Sequence, residues 1–216
     1  MAKEKNSDLL KRSQKIVTKL REVWPDAHCE LDHETPFQLL IATILSAQCT
    51  DKRVNMVTPV LFAKYPDAKT LAKAPVTDVE EIIRTTGFFK NKAKNIIQCA
   101  RQIEQDHKGE LPRTIEELTQ LGGVGRKTAN VLLGNAFRIN EGIVVDTHVK
   151  RISKLLKLTT HEDPEKVEKD LIKIVPNADW TDFSHLLIFL GRRICIARRP
   201  QCSLCPVNKY CPSAKI

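Results

Sequence analysis

Lys127 and Asp146 are the two residues of this 216-residue chain whose types and settings suit covalent chemistry. Lys127 follows Arg126 directly after the turn Leu121-Gly122-Gly123-Val124-Gly125, where a helix is expected to begin. A helix N-terminus presents unpaired N–H groups and a partial positive charge, so cations there are disfavoured by roughly 0.3–1 kcal/mol each. The placement makes sense when an anion occupies that helix end and the glycines let the backbone approach it closely. It also suits a lysine that reacts as a neutral amine, because the same surroundings disfavour the charged form of a nucleophile. Further on, the apolar run 142–145 ends in Asp146. A lysine and a carboxylate flanking a phosphate-sized turn point to nucleophilic chemistry on a nucleic acid. Plainer roles stand beside this one: Lys127 touching a phosphate, and Asp146 capping a helix marked by the periodic Val149, Ile152, Leu155 and Leu156.

A second constellation lies at the C-terminus. Of seven cysteines, Cys195, Cys202, Cys205 and Cys211 form C-x6-C-x2-C-x5-C. Thiolates so close together imply a metal centre, since each would otherwise be exposed to oxidation. Structural zinc usually takes two close pairs across a longer loop. Here only Cys202 and Cys205 form a close pair. That spacing favours one [4Fe–4S] cluster held by four protein ligands, with zinc as the alternative. Arg198 and Arg199 lie between the first two cysteines, and Arg192 and Arg193 just before them. An arginine-bearing loop fixed by a metal centre fits phosphate contact. Cys29, Cys49 and Cys99 read as small core residues.

These groups need positioning, and the chain is patterned to do it with helices. Apolar residues recur at helical spacing in the first segment (Leu9, Ile16, Val17, Leu20, Val23), and Thr35-Pro36 opens a buried helix to about Gln48. Pro59 falls inside the next helical pattern as a kink or break. Thr77 and Glu80 read as a capping box for a helix closed by Gly87, and Thr114 with Glu117 as a second. Further helices are expected over about 92–107, 126–137, 147–157, 164–174 and 181–192. No sustained period-two alternation occurs, so the fold class is all-α. Helix 114–121, turn 122–125 and helix 126–137 make a helix–hairpin–helix, whose backbone amides hold a phosphate without reading base sequence.

Composition agrees with a nucleic-acid partner. Lys and Arg number 35 against 26 Asp and Glu, a net charge of +9, with a pI near 9.2. Such an excess favours a polyanion through counterion release. No apolar signal core is visible in MAKEKNSDLLKRSQK, and the longest mostly apolar stretch, 37–47, is too short to span a bilayer. The expectation is a soluble cytoplasmic, nucleoid-associated protein with no membrane partner. Nothing demands more than a monomer.

Turn, lysine, aspartate and cysteine tail together resemble the endonuclease III family of DNA glycosylases, in the helix–hairpin–helix/Gly-Pro-Asp superfamily. The likeness runs from LLIATILSAQCTD (39–51) through LGGVGRKTANVLL and VVDTHVKRISKLL to Cys211. It implies two packed helical domains: a barrel over about 30–139, and 1–29 with 140–216 carrying the cluster loop 195–211. Double-stranded DNA with damaged bases or abasic sites would bind in a cleft between them. By motif, Lys127 is the nucleophile and Asp146 the essential carboxylate of a bifunctional glycosylase/AP lyase acting on oxidised pyrimidines. Gln48 fills the gap left by an extruded base, and Phe88 is wedged into the opposite strand. Gly123, Gly125, Arg126, His148, Arg198 and Arg199 are the remaining DNA-binding candidates. The family turn is commonly Leu-Pro-Gly-Val-Gly, so glycine at 122 predicts a looser hairpin. Phe88 also departs, standing where the family has leucine. Lys127, with Ile44 where the adenine-mismatch branch has a glutamate, points away from a monofunctional mismatch glycosylase. A non-catalytic DNA-binding module is the other alternative.

Overall fold

The computed structural model describes residues 4–215, and these contain helices and turns but no strand. In chain order the α-helices are α1 (Asn6–Val23), α2 (Pro36–Leu45), α3 (Asp51–Lys64), α4 (Ala68–Leu71), α5 (Val76–Ile83), α6 (Phe89–Asp106), α7 (Ile115–Leu118), α8 (Arg126–Leu132), α9 (Thr147–Leu155), α10 (Pro164–Leu171) and α11 (Trp180–Arg193). The all-α expectation is met. Residues 1–3 and 216, which the expected second domain includes, lie outside the described residues.

The chain divides into two compact units. One is continuous, Cys29–Glu141, and is organised around α2. Every residue of α2 from Leu39 to Leu45 is buried, against Ile96, Ile97, Ala100 and Ile103 of α6 and Ala129 and Leu132 of α8. Thr35 caps α2 by accepting the Gln38 N–H, with Pro36 at the first helical position, an arrangement that satisfies an orphan donor and needs no N–H from proline. The other unit joins the residues up to His28 to those from Gly142 onward. There α11 packs against α9 and α1, with Ile16, Leu20, Val149, Ile152, Phe183, Leu187 and Leu190 in its core.

Several expectations about local structure are corrected. Helix α3 runs unbroken through Pro59. The proline removes one main-chain bond, but Val54, Val57, Thr58 and Leu61 are buried along the same helix, and packing of that face outweighs the loss. The box expected from Thr77 and Glu80 does not form, because α5 starts two residues earlier with Pro75 at its cap and no side-chain cap bond. Asp78 instead accepts from Lys64 and Tyr65 at the end of α3. Helix α2 stops at Leu45 rather than near Gln48, and α6 starts at Phe89 rather than Lys92. Helix α8 is α-helical only to Leu132 and continues as a π-helical turn, Leu133–Phe137.

Candidate nucleic-acid interface and iron–sulfur site

The hairpin is built by backbone conformation and close packing. Thr114 caps α7 by accepting the Glu117 N–H, and its hydroxyl donates to the Glu117 carboxylate. Val124 N–H donates to Leu121 O at 3.1 Å, closing the turn. Gly123 has φ +76°, and a Cβ there would lie 2.9 Å from Asn95 Cβ and 3.1 Å from Ile44 Cγ2; both the torsion and the space require glycine. Gly122 is bonded into the turn. Its N–H donates to Gln102 Oε1 at 2.8 Å, while Gln102 Nε2 donates to Gln120 O at 2.9 Å. One amide of α6 thus grips the hairpin from both sides, using an N–H that proline lacks. Gly125 is different: a Cβ would meet nothing within 4 Å. The fold itself makes no steric demand for glycine there, and the open space above it is where an anion can reach the α8 N-terminus. Arg126 and Lys127 are exposed in the first turn of α8.

Two exposed loops of the same unit carry Gln48 and Phe88. Both residues have left-handed backbones, φ 53° and 48°, uncommon for non-glycine residues and a genuine outlier for a bulky one. Phe88 is 66% exposed. A group missed by sequence reading lies beneath them. Lys92 is 4% exposed, and its Nζ donates at 2.8 Å to both Leu45 O and Thr86 O. Burial pushes this lysine below its ordinary value, with nearby Cys49 acting in the opposite direction. The signal was available: a lysine one position before the buried stripe Ala93, Ile96, Ile97, Ala100.

In the other unit Asp146 caps α9, its Oδ1 accepting the Val149 N–H at 2.7 Å; Oδ2 takes no part in that bond. His148 packs on the backbone of Gly191, where a Cβ would come within 2.8 Å of its Nδ1. Thr147, His148, Arg151, Gly191, Arg192, Ile196 and Ala197 line a cavity of about 460 Å³, a basic depression at the start of α9. Arg198 and Arg199 are exposed on the following loop. Its ends are held by Cys195 N–H to Leu190 O and by Gln201 N–H to Ile194 O, at 2.8 and 3.0 Å.

All four C-terminal cysteines line one cavity with Ile194, Pro200, Gln201, Asn208 and Ala214. Among the described residues no three His, Cys, Asp or Glu side chains gather closely enough for a single metal ion. Four thiol donors around one shared cavity, with no histidine among them, suit an iron–sulfur cluster. Burial pushes the Cys205 and Cys211 thiols up, and the neighbouring cysteine sulfurs push them further. Such crowding is relieved when thiolates share a cationic centre. Arg151 Nη1 lies 3.7 Å from Cys195 Sγ, linking this cradle to the basic depression.

A helix–hairpin–helix with a basic first turn, in an all-helical chain with a four-cysteine tail, defines a class. Residues 41–177 match the HhH-GPD superfamily of base excision DNA repair proteins, and residues 195–211 match the iron–sulfur binding domain of endonuclease III. Endonuclease III of Synechocystis sp. is 52% identical over 204 residues, covering 94% of this chain and 93% of that protein. Endonuclease III of Escherichia coli K12 is 41% identical, covering 91% and 92%. A solved non-covalent endonuclease III–DNA complex superposes with a TM-score of 0.89 at 43% identity, over 95% of this chain and 96% of that one. The chain belongs to the endonuclease III family. It is a DNA-binding base excision repair glycosylase with an iron–sulfur cluster.

Proposed function

We propose that this chain is a bifunctional glycosylase/AP lyase that removes oxidised pyrimidines from double-stranded DNA and cleaves the strand at the resulting abasic site. The observation that carries the reading is Lys127, exposed in the first turn of α8 beside the open face of Gly125. The damaged nucleotide is unstacked and rotated out of the duplex. Lys127 Nζ attacks C1′ of the sugar, the glycosidic bond breaks, and the base leaves with the bonding electrons and takes a proton. Loss of the amine proton and ring opening give a Schiff base between Lys127 and C1′. Asp146, with one oxygen on the α9 cap, stabilises positive charge developing on the sugar and assists proton removal. Abstraction of a C2′ proton then expels the 3′ phosphate by β-elimination, and hydrolysis frees the lysine.

Gln48 occupies the position left by the extruded base, and Phe88 is inserted against the opposite strand. Gly123, Gly125, Arg126, His148, Arg198 and Arg199 take backbone phosphates, contacts that orient the duplex without reading its sequence. Cys195, Cys202, Cys205 and Cys211 hold the [4Fe–4S] cluster, whose contribution when bound is to fix the Arg198–Arg199 loop. The protein acts as a monomer on chromosomal DNA in the cytoplasm. Among the described residues no helix is long and apolar enough to cross a membrane. A protein 43% identical has been solved as a trapped endonuclease III–DNA covalent intermediate, which supports covalent chemistry here.

The test is borohydride trapping on a duplex with one oxidised pyrimidine. The native chain is expected to yield a covalent adduct and Lys127→Gln none, with strand cleavage falling by roughly 10³-fold or more. Excision by Lys127→Gln at the native rate would overturn the role of Lys127, and base loss without an adduct in the native chain would make the enzyme monofunctional.

A further inference from the structure

Lys92 is a buried cation that the proposed chemistry does not use, and it bonds to the places from which two DNA-facing loops depart. Leu45 is the last residue of α2, three positions before Gln48; Thr86 ends the 3-10 turn Arg84–Thr86, two positions before Phe88. Between Thr86 and Phe88 stands Gly87 at φ +71°. Carbonyls at helix ends lack an intrahelical partner, and burying them unpaired is costly. One ammonium satisfies both, at the negative end of the α2 dipole. Lys92 also donates its own N–H to Phe88 O at 3.1 Å, so it holds the Phe88 loop through main chain and side chain together. The other bonds described in these loops, Ser46 Oγ to Thr43 O, Cys49 N–H to Ser46 O and Thr86 Oγ1 to Ile83 O, stay within one loop. Lys92 joins the two.

We infer that Lys92 is a positioning residue that locks the Gln48 and Phe88 loops into one preformed unit, so that filling the vacated base position and wedging the opposite strand occur together. The inference rests on the roles proposed above for Gln48 and Phe88. Its physical logic is pre-organisation. Left-handed, non-glycine conformations persist only where the surroundings over-determine them, and two such residues set on one anchor need no separate ordering when DNA arrives. A methionine at 92 would fill the same space and leave both carbonyls without their common donor.

The experiment is a mutant cycle read by single-turnover excision of an oxidised pyrimidine from fully paired DNA. Lys92→Met is expected to slow excision about tenfold in the native background, but by less than about twofold in the Gln48→Ala/Phe88→Ala variant, where there is nothing left to position. In the free protein, amide exchange at 46–50 and 86–89 is expected to rise together by about tenfold. Equal slowing in both backgrounds, or exchange rising in one loop alone, overturns the coupling. Should Lys92→Met fail to fold, Lys92→Gln, which keeps a donor with a shorter reach, is taken through the same cycle with the same two outcomes. Absence of excision by the native chain would overturn the functional reading itself, whereas activity with additive effects overturns this inference alone.

Discussion

The hairpin-bearing unit and the cysteine tail place their proposed DNA-binding groups by opposite means. In Cys29–Glu141 the loops are pinned by the protein's own polar groups over an apolar core: Gln102 grips the hairpin, and Lys92 bonds the carbonyls behind Gln48 and Phe88. From Cys195 on, Val207 is the only buried apolar residue among those described, and the regular structure comprises two 3-10 turns, Cys202–Leu204 and Asn208–Tyr210. The first region can reach its shape with apolar and polar groups that the chain itself supplies. The second has too little apolar surface to offset its chain entropy and relies on a shared ligand for its four cysteines.

The strongest way to break that comparison is to remove iron, or to make Cys202→Ala. Protease cleavage within 195–215 is expected to accelerate at least about tenfold, while amide protection of α2 and α6 changes little. Simultaneous loss of protection in both regions would show that the first is not self-sufficient. Next in size is Gly123→Ala. The positive φ and the contacts with Asn95 and Ile44 predict a loss of roughly 2–3 kcal/mol in urea unfolding, whereas Gly125→Ala, in open space, is expected to cost under about 1 kcal/mol. Equal costs would sink the distinction between a glycine required by the fold and one kept for the ligand.

A smaller effect separates the helix cap of Asp146 from its proposed catalytic role. Asn at a helix N-cap is about as good as Asp, so Asp146→Asn is expected to keep stability within a few tenths of a kcal/mol while losing excision. Asp146→Ala should lose both, with roughly 1 kcal/mol of stability. If Asp146→Asn excises at the native rate, the residue is a cap and nothing more.

The smallest effect concerns pH. Hydrogen bonds from Lys64 and Tyr65 hold the Asp78 carboxyl below its ordinary value of 3.8. A group so shifted stabilises the fold above that ordinary value and loses its contribution as pH falls through the folded one. Urea unfolding of Asp78→Asn should therefore differ from the native chain at neutral pH and converge with it as pH falls through the lowered folded value; a constant gap would remove the carboxylate from the explanation.

The all-helical class was legible because apolar periodicity is a local property, and the caps at Thr35, Thr114 and Asp146 could be placed wherever a polar residue immediately preceded such a run. The Thr77 box did not form, and of the kink or break expected at Pro59 the break did not occur, for the converse reason. Local signals there were outvoted by Asp78 reaching back to α3 and by the buried face of α3 itself. A looser hairpin was expected from Gly122 because the proline it replaces is a local constraint, whereas its substitute, Gln102, lies twenty residues away.

Within the candidate site the division is the same. Residue type and spacing singled out Lys127 beside its glycines and the four cysteines as candidates, since a basic residue on a glycine-rich turn and a four-cysteine loop are each written in fewer than twenty consecutive residues. Only the tertiary structure could reveal that one ammonium, 47 residues from Leu45 and 6 from Thr86, holds the roots of two loops together. Its acceptors are main-chain carbonyls, which every residue carries. No choice of residue type marks them, and only folding selects which ones meet a buried lysine.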